Sequence, residues 1–247
     1  ACGTCPDNSG TGTATTSTVF TACKCSVGYS GPDGGASCVN CVAGHFKGVR
    51  GTALCADCPA DEWTASLAQS SCTACPGNSN TNAVTGSVVV TACLCNIGHT
   101  GTPSSGPCNP CGVGKYKTAT SDNAVCTDCS QGKYKGDTGQ TSNSCSNCLG
   151  GKFNVNLGSS TISACTNCIA NEWNDSPAQA SCKPCPASSG TNSGTGQQAQ
   201  SDCRCNSGYY GEPDAGTDCI ACDAGQYKDS STANGNPSTE PHCTKCA

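Results

Sequence analysis

Cysteine is the residue type in this chain whose number and spacing could do chemistry. It occurs 28 times in 247 residues, always in doublets. Eleven doublets are C-x-x-C, starting at Cys2, Cys38, Cys55, Cys72, Cys108, Cys126, Cys145, Cys165, Cys182, Cys219 and Cys243. Three are C-x-C: Cys23 with Cys25, Cys93 with Cys95 and Cys203 with Cys205. Three chemistries are open to sulfurs so placed. Four thiolates hold zinc, and Cys38, Cys41, Cys55 and Cys58 taken alone approach zinc-ribbon spacing. A single C-x-x-C opening a helix in a βαβ setting runs thiol–disulfide exchange. Oxidised in pairs, cysteines become covalent staples.

The pattern favours staples. The doublets follow one another without a break, so dividing them into four-sulfur zinc sites would be arbitrary, and C-x-C is a poor zinc knuckle. Copies of C-x-x-C in turn-rich sequence do not supply the βαβ setting of a redox centre. Sequence does not fix connectivity, but the doublets suggest a ladder in which the second Cys of each bonds the first Cys of the next. That reading gives Cys5–Cys23, Cys25–Cys38, Cys41–Cys55, Cys58–Cys72, Cys75–Cys93, Cys95–Cys108 and Cys111–Cys126. It continues with Cys129–Cys145, Cys148–Cys165, Cys168–Cys182, Cys185–Cys203, Cys205–Cys219 and Cys222–Cys243. Closing such loops removes about 3 kcal/mol each of unfolded-chain entropy in the simplest model. Cys2 and Cys246 are left over. Either they pair with further modules of a longer chain, or Cys246 of one copy joins Cys2 of the next, or the ends pair differently or stay free.

Composition points the same way. The hydrophobic fraction of 35 % falls to about 24 % once the cysteines are set aside, too little for a large apolar core. Covalent links must replace the missing burial. The net charge is only −5, with 12 basic residues and no basic run, which argues against nucleic acid as a partner. The longest aliphatic run is Val88–Val89–Val90, far short of a membrane span. There is no Met, as in a processed chain or part of a longer one. Disulfides at this density belong to an oxidising compartment, so the chain reads as secreted, extracellular and at the cell surface. Ser/Thr-rich loops such as "SGTGTATTST" are expected to carry O-linked glycans. The one N-x-[ST] sequon makes Asn174 a candidate N-glycan site, although Pro177 follows it. His45, His99 and His242 read as loop residues. No catalytic residue, cofactor or metal is expected.

The elements that position the cysteines are short. After most C-x-x-C doublets an aromatic stands five residues beyond the second Cys: Phe46, Trp63, Tyr116, Tyr134, Phe153, Trp173 and Tyr227. After C-x-C the slot falls at four, with Tyr29, His99 and Tyr209. Each ring is expected to pack on its own disulfide. Three related stretches start at Cys5, Cys75 and Cys185, giving cysteine-rich repeat units at 1–71, 72–181 (with inserted modules) and 182–247. No run carries a helical period. Short strands are expected at 87–92 and 18–22, where Val, Thr and Phe gather. The fold class is therefore small and disulfide-rich, mostly irregular with short β-hairpins and little or no helix. As a tandem-repeat rod it should have a radius of gyration well above the roughly 18 Å of a compact globule this long.

"CKCSVGYSG", "CLCNIGHTG" and "CRCNSGYYG" resemble the tail of EGF-like modules. "CVAGHF", "CGVGKY", "CSQGKY", "CLGGKF" and "CDAGQY" resemble the start of modules in tumour-necrosis-factor-receptor and ephrin-receptor-like cysteine-rich repeats. Both resemblances imply that the second Cys of a doublet bonds the next one downstream. His99 departs from the EGF-like aromatic, and no calcium-binding acidic pattern is present. Overall the chain is similar to protist surface antigens and to flagellar-hair (mastigoneme) proteins. That resemblance implies a structural filament, coat or appendage that self-associates or continues in a longer repeat chain. The alternative is the ligand-binding ectodomain of a receptor or adhesin.

Overall fold

A computed structural model describes residues 4–14, 17–34, 37–120, 125–228 and 243–246. Thirteen two-residue antiparallel hairpins account for all its paired strands, and no α-helix occurs among the described residues. The chain is thus disulfide-rich, largely irregular and built from tandem small hairpins. By internal contacts it divides into two units. One comprises Ala1–Cys111, Lys117–Cys126 and Gly139–Thr141; the other comprises Gly112–Tyr116, Thr127–Thr138 and Ser142–Ala247.

One module recurs in both. It opens at the second Cys of a doublet, and a tight turn follows. In the module of Cys41, the His45 N–H donates to Val42 O at 3.1 Å, and Gly44 at the third turn position has φ 79°. The equivalent residue has positive φ, from 58° to 81°, in all thirteen modules, as a type II turn requires. Glycine fills most of these positions. The Asn, Asp and Ser at the rest are polar residues that tolerate the left-handed region. The first strand comes next, His45–Phe46, and pairs with Ala56–Asp57. Cys55 stands immediately before that second strand and bonds back to Cys41. The Cys58 N–H then closes the hairpin on Gly44 O at 2.8 Å. Strand, turn and sulfur bridge therefore fix one another within about 17 residues.

The two doublet types are one residue out of step. In C-x-C modules the second Cys is itself the last strand residue, as in Lys24–Cys25, and the closing N–H belongs to Ser26. The next strand starts four residues after the second Cys in both types, so Tyr29 and His99, at plus four, sit first in their strands, whereas Phe46 and Tyr116, at plus five, sit second. Successive strand residues face opposite ways, so the two aromatic slots are not equivalent places.

Strands expected at 18–22 and 87–92 are instead three-residue 3-10 turns, Phe20–Ala22 and Val90–Ala92. The Cys23 and Cys93 N–H groups close them at 3.0 Å on Phe20 O and Val90 O. The turn brings each Cys back to its partner, and that tertiary demand overrides the β propensity of Val and Phe. Val19, Phe20, Val88 and Val89 are left exposed.

Candidate functional site: the sulfur ladder and the polar bridges between modules

Thirteen disulfides join the second Cys of one doublet to the first Cys of the next, from Cys5–Cys23 to Cys222–Cys243. Their loops span 13 to 21 residues, with Cα–Cα distances of 5.5 to 5.9 Å. Wherever both sulfurs of a doublet are bonded they go to different neighbours, so those doublets hold no C-x-x-C redox pair. Cys246 is free and exposed. Cys2 and His242 lie outside the described residues. Among the described residues, the buried apolar side chains other than Trp173, Pro103 and Pro213 are half-cystines. The other slot aromatics are half-buried, except Tyr227, which is 53 % exposed.

What sequence reading missed is the residue directly after the first strand. Lys47, Thr64, Thr81, Lys117, Lys135, Asn154, Asn174 and Thr191 all hold this place and all are buried. Each is a junction between modules. Lys47 O accepts the Gly28 N–H of the module before at 2.9 Å, and its own N–H donates to Gln69 O of the module after at 3.0 Å. Thr64, Lys135, Asn154 and Asn174 repeat both contacts. Several of the side chains reach back as well. Lys47 Nζ donates to Tyr29 O at 2.7 Å and to Gly51 O. Lys117 Nζ donates to Cys95 O at 3.0 Å and His99 O at 2.9 Å. Asn154 Nδ2 donates to Lys133 O at 3.0 Å, and Asn174 Nδ2 to Lys152 O at 2.9 Å. Lys135 uses its own module instead, on Ser144. Burying an ammonium is costly, and carbonyl acceptors offset the loss of water. At Lys47 the net effect is a lowered pKa: burial disfavours the charge, and Asp33 opposes this only in part.

The threonine junctions add a two-way clamp. The Asp61 N–H donates to Thr81 Oγ1 at 2.9 Å while the Thr81 N–H donates to Asp61 Oδ1 at 3.1 Å. Asn171 and Thr191 duplicate it at 2.9 and 3.2 Å. Asp61 and Asn171 thus replace the turn glycine where a side chain is needed.

A third link reaches two modules ahead. A Cβ on Gly44 would stand 2.4 Å from Gly86 O, and one on Gly114 only 1.9 Å from Gly158 O. Gly28, Gly98, Gly132 and Gly151 meet the backbone carbonyl of Ala68, Gly139, Ala178 and Gly196 equally closely. These partner residues in turn donate to the preceding module's ladder cysteine. The Gly86 N–H bonds Cys58 O, and the Gly158 N–H bonds Cys129 O, both at 2.8 Å. Modules therefore interlock at first and second neighbours, because the glycine turn leaves room for a second chain.

The sequon asparagine belongs to this network. Asn174 is 1 % exposed, and Oδ1 accepts the Ser176 N–H while Nδ2 is donated inward. The folded chain has no room for a glycan on that nitrogen. Nearby, Lys183 Nζ lies 4.6 Å from the Trp173 ring centroid and 3.0 Å from Asp175 Oδ1. The Lys183 hydrogen bond, with one from Ser176, holds the Asp175 carboxyl below the usual range. His45 Nε2 stands 2.8 Å from Asp57 Oδ1 across its hairpin, and His99 Nδ1 is 3.0 Å from Ile97 O.

No model of a known protein family and no curated protein matches the chain. Its heavily bridged small repeats fit an extracellular cysteine-rich protein. No helix among the described residues is long and apolar enough to cross a membrane.

Proposed function

We propose that the chain is a non-catalytic structural protein of the cell exterior, a component of a filament, coat or appendage, with O-linked glycans on its exposed loops. The observation that carries this reading is the interior. Among the described residues it is made mainly of half-cystines and of polar residues that tie modules together, so most of the side chains that a ligand pocket would draw on are committed to holding the chain together. Interlocking at second neighbours resists local opening and proteolysis, which a surface structure must survive. Thr13, Thr18, Ser193 and Thr195 are exposed and available for glycans. Negative-stain electron microscopy of the purified chain, over a range of concentrations, tests the reading. Ordered polymers that disperse on reduction are expected. A chain that stays monomeric at every concentration, even when densely packed, would sink it.

A further inference from the structure

The bridges differ in how far thiol chemistry can reach them. Cys25–Cys38, Cys95–Cys108 and Cys205–Cys219, which leave the C-x-C doublets, are buried at both ends, with no residue of the six more than 6 % exposed. The turn of an earlier module lies over each. The Cys38, Cys108 and Cys219 N–H groups donate to Asp7 O, Gly77 O and Ala187 O at 3.2, 2.9 and 3.0 Å. Asn8 Nδ2 adds a bond to Cys38 O at 3.2 Å, and Asn78 Nδ2 one to Cys108 O at 2.9 Å. The doublets Cys72/Cys75 and Cys182/Cys185 are the opposite case. Among the described doublets with both sulfurs bonded, these two have neither cysteine buried. Their partners lie inside: Cys58, Cys93 and Cys168 are 0 % exposed and Cys203 1 %. The bridges that meet at these doublets also close the loops that carry the second-neighbour links. Ala68, inside Cys58–Cys72, covers Gly28 and donates to Cys41 O at 2.9 Å. Gly86, inside Cys75–Cys93, covers Gly44 and donates to Cys58 O at 2.8 Å. At the second doublet Ala178 does the same on Gly132, and Gly196 on Gly151.

We propose that Cys72/Cys75 and Cys182/Cys185 are redox-sensitive seams, at which an external dithiol loosens the interlock while the bridges of the C-x-C doublets hold. Access helps set the rate of thiol–disulfide exchange. One sulfur of each seam bridge is inside the fold, so attack comes at the half-buried one. A thiolate of the dithiol bonds to the Cys72 sulfur, the Cys58–Cys72 bond breaks, and the Cys58 sulfur leaves with the electron pair and takes up a proton. The second thiol of the reagent then displaces Cys72 as a thiol. The dithiol ends as its disulfide, and two cysteines are reduced. Cys75–Cys93, Cys168–Cys182 and Cys185–Cys203 open in the same way at Cys75, Cys182 and Cys185. The oxidised reagent reverses each step. Opening one seam frees two successive carriers at once. Ala68 and Gly86 let go of the modules of Cys25 and Cys41, or Ala178 and Gly196 of the modules of Cys129 and Cys148.

The test uses the full native chain with its free thiols alkylated beforehand. Limiting dithiothreitol is added, samples are quenched at intervals with a second alkylating reagent, and the new thiols are mapped by peptide mass spectrometry. The four seam bridges should open about tenfold faster than Cys25–Cys38, Cys95–Cys108 and Cys205–Cys219, since access favours attack. In the partly reduced chain, hydrogen exchange should accelerate at the Ala68, Gly86, Ala178 and Gly196 amides, while the Cys108 amide stays protected. Asn78→Ser, which puts at this turn the residue found at Ser188, should bring the opening of Cys95–Cys108 up to the rate of Cys205–Cys219. Loss of all the bridges together, with no partly reduced species, would overturn the proposal. So would C-x-C bridges that open as fast as the seams, or seams that open without change at the Gly86 and Gly196 amides. Oxidised dithiothreitol should restore the original bonds, and mispaired products would show that the seams are points of damage rather than a switch.

Discussion

Lysine stands at 47, 117 and 135 where a conventional core would carry leucine. For Lys47 and Lys117 the choice makes sense because the groups to be satisfied are backbone carbonyls of the preceding module rather than apolar surface; Lys135 satisfies Ser144 of its own module. An amide does the same work at Asn154. Its replacement by Leu removes the donor to Lys133 O and the acceptor of the Asn156 N–H, leaving buried groups unpaired at about 1–3 kcal/mol. Native-state hydrogen exchange should show faster exchange at the Asn156 and Gly132 amides in Asn154→Leu. Lys47 adds a pH dependence of definite sign. Its folded pKa lies below 10.5, so between the two values the unfolded chain binds more protons and stability rises with pH. In a Cys2→Ser/Cys246→Ser background, which removes both cysteines outside the thirteen bonds, the denaturant midpoint should increase as pH climbs through the folded pKa toward about 10.5, and Lys47→Met should flatten that increase. The sulfur bridges were legible in the sequence because doublets leave few sensible partners. The bridging Lys, Asn and Thr were not, because such residues ordinarily signal solvent. Only the recurrence of six of them directly after the aromatic slot could have given them away.

At the scale of the element, the turn glycine carries two duties that one substitution can separate. Gly12 has φ 69° with open space around it, whereas Gly114 has φ 73° and a carbonyl 1.9 Å from the Cβ position. Gly12→Ala therefore meets only the left-handed penalty, about 1 kcal/mol. Gly114→Ala must also displace the Gly158 backbone, and should lose more than about 3 kcal/mol. Thermal melting of the two variants should separate them clearly; equal losses would mean that the close approach is not a real constraint. The glycine at this place was visible in the sequence as a turn signal, but its second duty was not, since nothing local announces a chain 44 residues away. The same limit explains the 3-10 turns before Cys23 and Cys93. Val and Thr there read as strand formers, and it is the distant sulfur partner that bends them.

For the molecule as a whole, the decisive quantity is how far a local break spreads. In a string of independent beads, opening one bridge would expose one loop. Here the module of Cys168–Cys182 supplies Ala178, whose carbonyl covers Gly132 two modules back and whose N–H bonds Cys148 O at 2.9 Å. The same module's Cys168 O accepts the Gly196 N–H from the module after it at 2.8 Å. A Cys168→Ser/Cys182→Ser chain loses a 14-residue loop closure, about 3 kcal/mol. Because of the interlock that loss should not stay local. Hydrogen exchange should accelerate at the Ala178 and Gly196 amides and reach the backbone around Gly132, while the module of Cys41–Cys55 keeps its protection. Acceleration confined to residues 168–182 would return the chain to a string of beads, and with it the mechanical argument for a structural role would lose its basis.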